Sequence, residues 1–143
     1  MADQPTIFVL NGPNLNLLGT REPDVYGTMT LDDIAEIVRK QIAPYDIEMR
    51  SEQSNHEGTL IDIIHEARNW ADGIIFNPGA YTHTSIGIAD AIKAITTPVV
   101  EVHISNTFSR ETFRHQSFIS PHAKGVIIGF GLHSYHLAIQ SFL

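Results

Sequence analysis

Thr6-Ile7-Phe8-Val9-Leu10, followed at once by Asn11-Gly12-Pro13-Asn14, decides how this chain folds. The first five residues form a short apolar, β-branched run of the kind that fills the middle of a parallel sheet. The run stops where Gly12 and Pro13 break the strand and two amides offer donors and acceptors. The same design recurs downstream. Ile74-Ile75-Phe76 ends in Asn77-Pro78-Gly79, and Val99-Val100-Glu101-Val102-His103-Ile104 runs into Ser105-Asn106.

Between these runs the period changes from strand to helix. Thr30-Leu31-Asp32-Asp33 has the shape of a capping box, and Leu31, Ile34, Ala35, Val38 and Ile42 follow at helical spacing until Pro44. Asp46 to Glu52 alternates around Ile47 and Met49, as an edge strand does. Leu60, Ile63, Ile64, Ala67 and Ala71 mark a second helix stopped by Asp72-Gly73. Thr82 to Ser85 caps a third helix through Ile95, Gly125 to Gly129 is a fifth strand, and a last helix runs from about Leu132. Strands alternating with helices imply βαβ units and a parallel sheet covered on both faces. Five such strands predict an α/β, flavodoxin-like, doubly wound sheet of order 2-1-3-4-5. Its ligand site lies outside the strand carboxyl ends, where the polar breaks fall.

The stretch from Leu15 to Gly27 is too irregular for a helix and too long for an ordinary strand-to-helix turn. Such connections usually take ~2–6 residues, and longer ones tend to be lids or binding loops. Gly19 and Gly27 bracket Arg21 and Tyr26, a composition suited to a mobile flap over the site. Residues 1–143 therefore read as a single catalytic domain with a lid around 15–27.

The totals narrow the function. A chain of 143 residues is long enough for one domain with a real core. It has no cysteine, which removes disulfides and thiol catalysis. A formal charge of −7 with nine Lys plus Arg does not suit nucleic acid. With no apolar run of ~18–20 residues and a polar start at Met1-Ala2-Asp3-Gln4-Pro5, a cytoplasmic protein is expected.

Glu101 and His103 are the sharpest anomaly, since a carboxylate inside a central strand is costly unless paired. Two residues apart, they share a face. A carboxylate beside an imidazole fixes its tautomer and favours the charged ring, giving a proton donor near neutral pH. The alternative is a strand that frays early with both side chains in water. Arg21 and Tyr26 form a second candidate, because a guanidinium near a phenol favours the phenolate and makes it a usable base; surface loops also carry both types. Arg114 is suited to grip a carboxylate, or is a solvated charge. His83 with Thr82 and Thr84 offers an anion site at a helix start, or a capping turn. The other histidines, including His133 and His136, do not assemble a metal set with nearby acids, so no metal site is expected.

Together these stretches closely resemble type II 3-dehydroquinate dehydratase over essentially the whole chain. The resemblance rests on Leu10 to Gly19, Arg21-Glu22-Pro23, Val25-Tyr26-Gly27 and Ser54-Asn55-His56-Glu57-Gly58. It continues through Asn77 to Ser85, Glu101 to Asn106, Arg110-Glu111 and Phe113-Arg114-His115. It implies Tyr26 as base, Arg21 as its activator, His103 as general acid oriented by Glu101, and Asn14 as holder of a water or hydroxyl. It implies substrate binding by Asn77, His83, Arg114 and the backbone at Ile104 and Ser105, with Asp90 arriving from a neighbouring subunit. The implied reaction is anti elimination of water from 3-dehydroquinate through an enolate, in the shikimate pathway or quinate catabolism. No cofactor is expected, and the implied assembly is a dodecamer of four trimers. Ile86, Ile88, Ala89, Ala91, Ile92, Ala94 and Ile95 leave the third helix apolar on nearly every side, which also predicts an oligomer. One departure is Thr107-Phe108-Ser109, where many members carry a histidine or other polar residue near Phe108.

The competing class is a flavodoxin-like module that binds flavin or relays a phosphate. A phosphate receiver wants clustered acids after the first strand and a lysine after the fifth, whereas Lys124 precedes the fifth strand. A flavin binder wants a Ser/Thr-rich loop where Asn11-Gly12-Pro13-Asn14 stands.

Overall fold

Five parallel strands, β1 (Thr6–Asn11), β2 (Glu48–Gln53), β3 (Gly73–Asn77), β4 (Val99–His103) and β5 (Gly125–Ile128), lie in the order 2-1-3-4-5. The computed structural model describes residues 4–20 and 22–143. Helices α2 (Leu31–Ile42) and α5 (His133–Gln140) cover one face, and α3 (Glu57–Ala67) and α4 (Ile86–Ala94) the other. Alternation along β1 feeds both cores: Ile7 and Val9 join the α2/α5 side, Phe8 and Leu10 the α3/α4 side. The doubly wound sheet is the expected one. Among the described residues no helix is long and apolar enough to cross a membrane.

Thr30 caps α2 as its sequence predicts. Its hydroxyl accepts from the Asp33 amide at 3.3 Å, and the Asp33 carboxylate accepts from the Thr30 amide at 2.8 Å. Thr30→Ala should cost ~0.5–2 kcal/mol of stability, read from a urea midpoint. A variant as stable as the parent would remove the cap from the account.

Boundaries shift where turns intervene. β2 starts two residues later than the alternation suggests, because Ala43–Tyr45 adds a helical turn and Asp46 takes a left-handed φ of 53°. α3 ends at Ala67, before Asp72, whose carboxylate instead accepts from the Thr6 amide at 2.8 Å and pins the start of β1.

The stretch expected to be irregular contains two single helical turns, Leu15–Leu17 and α1 (Pro23–Tyr26). Pro23 opens α1 with its preset φ, and Gly27 closes it at φ 79°. Leu15 and Leu18 are buried in the α2/α5 core, so the front of this stretch is anchored.

Most of the apolar surface of the third helix is covered within one chain. Ile88, Ala89, Ala91 and Ile92 of α4 are buried within one chain, against the sheet and α3, leaving Ile86 at 61% exposure. The apolar surface that this helix leaves uncovered in one chain is small, with Ile86 and Ala94 exposed.

Gly12 is where the loops after β1 and β3 touch. Its amide donates to the Asn77 carbonyl at 2.7 Å, and an added Cβ would stand 2.6 Å from the Pro78 carbonyl oxygen. Only glycine allows that approach.

Candidate active site

Glu101 and His103 share the α3/α4 face of β4, and neither frays into solvent. Glu101 is 0% exposed, and its Oε2 accepts from His103 Nε2 at 2.5 Å. Thr82 Oγ1 donates to Oε2 at 2.6 Å, Ser120 Oγ to Oε1 at 2.6 Å, and Ser117 Oγ to both oxygens at 3.1–3.2 Å. A buried carboxylate is tolerable only when its lone pairs are met in this way. Burial pushes the Glu101 carboxyl up, but bonds from His103, Ser120 and Thr82, with the charge of His103, hold it below the usual range.

That direction makes a pH prediction. A carboxyl that keeps its charge to lower pH folded than unfolded adds stability above the ordinary carboxylate range near ~4.3. The contribution disappears as pH falls through the lowered folded value. The stability gap between parent and Glu101→Gln should therefore be widest near pH ~7 and narrow toward acid, in urea midpoints across that range. A gap independent of pH would show that Glu101 carries no ionised advantage.

His83 sits beside His103, rings 6.4 Å apart and inclined by 21°. Its Nδ1 donates to the Gln116 carbonyl at 2.7 Å. Burial holds His83 below the usual imidazole range, the Gln116 carbonyl opposing and the charges of His103 and Arg114 adding. A neutral ring that donates through Nδ1 has Nε2 as an acceptor. Arg114 is steadied by Glu111, which accepts from its Nε at 2.6 Å, so the outer guanidinium nitrogens are the ones oriented for an anion.

Tyr26, at the end of α1, meets a group that the sequence reading left without a role. Arg110 Nη1 donates to the Tyr26 hydroxyl at 2.8 Å and to Ser105 Oγ at 3.2 Å, its guanidinium 5.5 Å from the Tyr26 ring centre. The two residues are 84 positions apart, so no local pattern pairs them. Arg21, expected beside the phenol, lies outside the described residues.

A cavity of about 190 Å³ gathers these groups. Asn14, Tyr26, Asn77, His83, His103, Ile104, Ser105, Arg110 and Arg114 all line it. Asn14 reaches it from a left-handed φ of 67°, its amide donating to Asn55 Oδ1 at 2.9 Å. Asn77 is 2% exposed; its Nδ2 donates to the Tyr135 hydroxyl at 2.9 Å and its Oδ1 accepts from the Gly79 amide. The Tyr135 hydroxyl donates on to Asn11 Oδ1 at 2.6 Å, and burial pushes that phenol well up. Asn77 thus ties the loops after β1 and β3 to α5 while forming the cavity floor. Glu101 lines an adjoining hollow with His83 and His103, not the cavity itself. Asp90 is on the exposed side of α4 and outside the cavity. Among the described residues no three His, Asp or Glu converge as metal ligands.

A flavodoxin-like sheet whose small cavity is lined by a phenol, a guanidinium and an imidazole backed by a buried carboxylate defines an enzyme equipped for proton transfer. Residues 5–143 match the family described as dehydroquinase class II, and the chain belongs to that family. It is 58% identical over 139 residues to a 3-dehydroquinate dehydratase from Rhizobium etli, covering 95% of this chain and 94% of that protein. It is 52% identical over 136 residues to a catabolic 3-dehydroquinase 2 from Aspergillus flavus, covering 95% and 91%. The crystal structure of a type II dehydroquinase from Butyrivibrio crossotus superposes with a TM-score of 0.94 at 44% identity, covering 98% of each chain.

Proposed function

We propose that this enzyme dehydrates 3-dehydroquinate to 3-dehydroshikimate, with Tyr26 as base and His103 as acid in the wall of one cavity. Tyr26 takes the proton α to the ketone, and the electron pair moves into an enolate. Collapse of the enolate expels the hydroxyl, to which His103 gives the proton carried on Nδ1, so water leaves and the enone forms. Arg110 and Arg21 stabilise the phenolate, Asn14 holds the hydroxyl or water, and Glu101 orients His103. Arg114 grips the substrate carboxylate, while His83, Asn77 and the backbone at Ile104 and Ser105 receive its hydroxyls. The observation that carries this reading is the shared 190 Å³ cavity, with Tyr26 and His103 both in its wall.

Residues 15–27 act as a lid on this single catalytic domain. Leu15 and Leu18 stay rooted in the core, whereas Glu22 to Val25 are exposed. The chain works as a homo-oligomer, a dodecamer of four trimers, in which Asp90 of a neighbour completes the site. Phe113 at 65% exposure and Phe130 at 62% supply apolar surface for such contacts.

The test is ultraviolet absorbance of the conjugated enone. Absorbance should rise when protein is added to 3-dehydroquinate, and a flat trace overturns the assignment. Sedimentation of a stable monomer at micromolar concentration would overturn the assembly.

A further inference from the structure

We propose that Thr82, Ser117 and Ser120 are positioning residues for this reaction: their hydroxyls favour Glu101 as a carboxylate, and so bias the tautomer of His103. The inference rests on the assignment of His103 as the acid, and it concerns residues to which that assignment gives no part.

Hydrogen counting carries it. Ser117 Oγ accepts from the Ile119 amide at 3.1 Å and the Ser120 amide at 2.9 Å, which occupies both lone pairs. Its one hydrogen is then committed to the side where Glu101 lies at 3.1–3.2 Å and Thr82 Oγ1 at 2.8 Å. Thr82 spends its hydrogen on Oε2 and Ser120 on Oε1, both at 2.6 Å. Each carboxyl oxygen thus faces hydroxyl donors, which favour the carboxylate over the neutral acid. Beside a carboxylate, the remaining contact, His103 Nε2, is a donor. Nδ1 is left as the nitrogen that gains and loses a proton at the cavity.

Without this cradle the buried pair has a second arrangement. Burial disfavours separated charges, so the Nε2 proton can pass to Glu101, leaving a neutral acid beside a neutral ring with the wrong nitrogen bare. The charged and titratable groups around Glu101 are His103 on its own strand, His83 from the turn before α4, and Arg114 and His115 from the loop after β4. None of these replaces a hydroxyl donor at the carboxylate. The cradle is built from two separate connections: Thr82 follows β3, while both serines stand between β4 and β5.

Thr82→Val is the cleanest probe. It is nearly isosteric, removes one donor to Oε2, and leaves the serine-capped turn in place. Nitrogen-15 spectra of His103 should change from an Nε2-protonated ring toward the other tautomer. The kcat should fall about ten- to a hundredfold, with KM within about twofold, as for loss of one hydrogen bond to a charged group. The acid limb of the kcat profile should move to higher pH, and Thr82→Ser should restore all three readouts. If Thr82→Val does not fold, Ser120→Ala removes the Oε1 donor under the same measurements. An unchanged His103 spectrum overturns the proposal, whatever happens to kcat. A changed tautomer with full kcat overturns instead the role of His103 as acid, and with it the catalytic reach of the cradle.

Discussion

Tyr26→Phe is expected to lose at least ~10⁴ in turnover at every pH, the upper end of what a positioned base contributes. The substitution keeps the ring that lines the cavity and deletes only the oxygen to which Arg110 donates at 2.8 Å. A phenol with no cation nearby titrates near ~10, so at neutral pH about one part in a thousand is phenolate. Arg110 donates to the Tyr26 oxygen and so stands where charge develops on it in the proposed reaction. Removing a guanidinium should therefore fail differently from removing the phenol. Arg110→Ala or Arg21→Ala keeps the phenol and should retain partial turnover, whereas Tyr26→Phe should retain almost none at any pH. The measurement is a pH–rate profile of the three variants beside the parent. An active Tyr26→Phe would move the base elsewhere, and an Arg110→Ala profile identical to the parent's would make its contact with the phenol structural.

His103→Ala should lower kcat by ~10²–10⁴ while KM changes much less. Substrate contacts at Arg114, His83 and Asn77 remain in the cavity wall. The variant also withdraws one of the donors to a carboxylate that has no exposure to water. Breaking a buried pair from one side can cost ~3–5 kcal/mol, although three hydroxyls still face Glu101 here. Thermal midpoints should accompany the kinetics, and His103→Gln, which can still donate to Glu101, separates acid from fold. Near-normal turnover in a folded His103→Gln would mean that the pair serves structure alone. A folded but inactive His103→Gln is the expected result.

The sequence by itself determined the strand order, the two helical layers and the end of the sheet where chemistry sits. Those follow from alternation, helical spacing and the breaks at Gly12-Pro13 and Pro78-Gly79, all of which act over a few residues. The Glu101–His103 pair was legible for the same reason, since two residues on one strand share a face whatever the rest does. Tertiary structure alone decided which donors surround Glu101, because Thr82, Ser117 and Ser120 lie 16–19 positions away and look like ordinary loop residues. It likewise brought Arg110 to Tyr26 across 84 positions. It also showed which apolar residues of α4 are covered within one chain, Ile88, Ala89, Ala91 and Ile92, and which are not, Ile86 and Ala94. Backbone periodicity is a local property, whereas hydrogen-bond partners and covered faces depend on which distant loops meet at the strand ends.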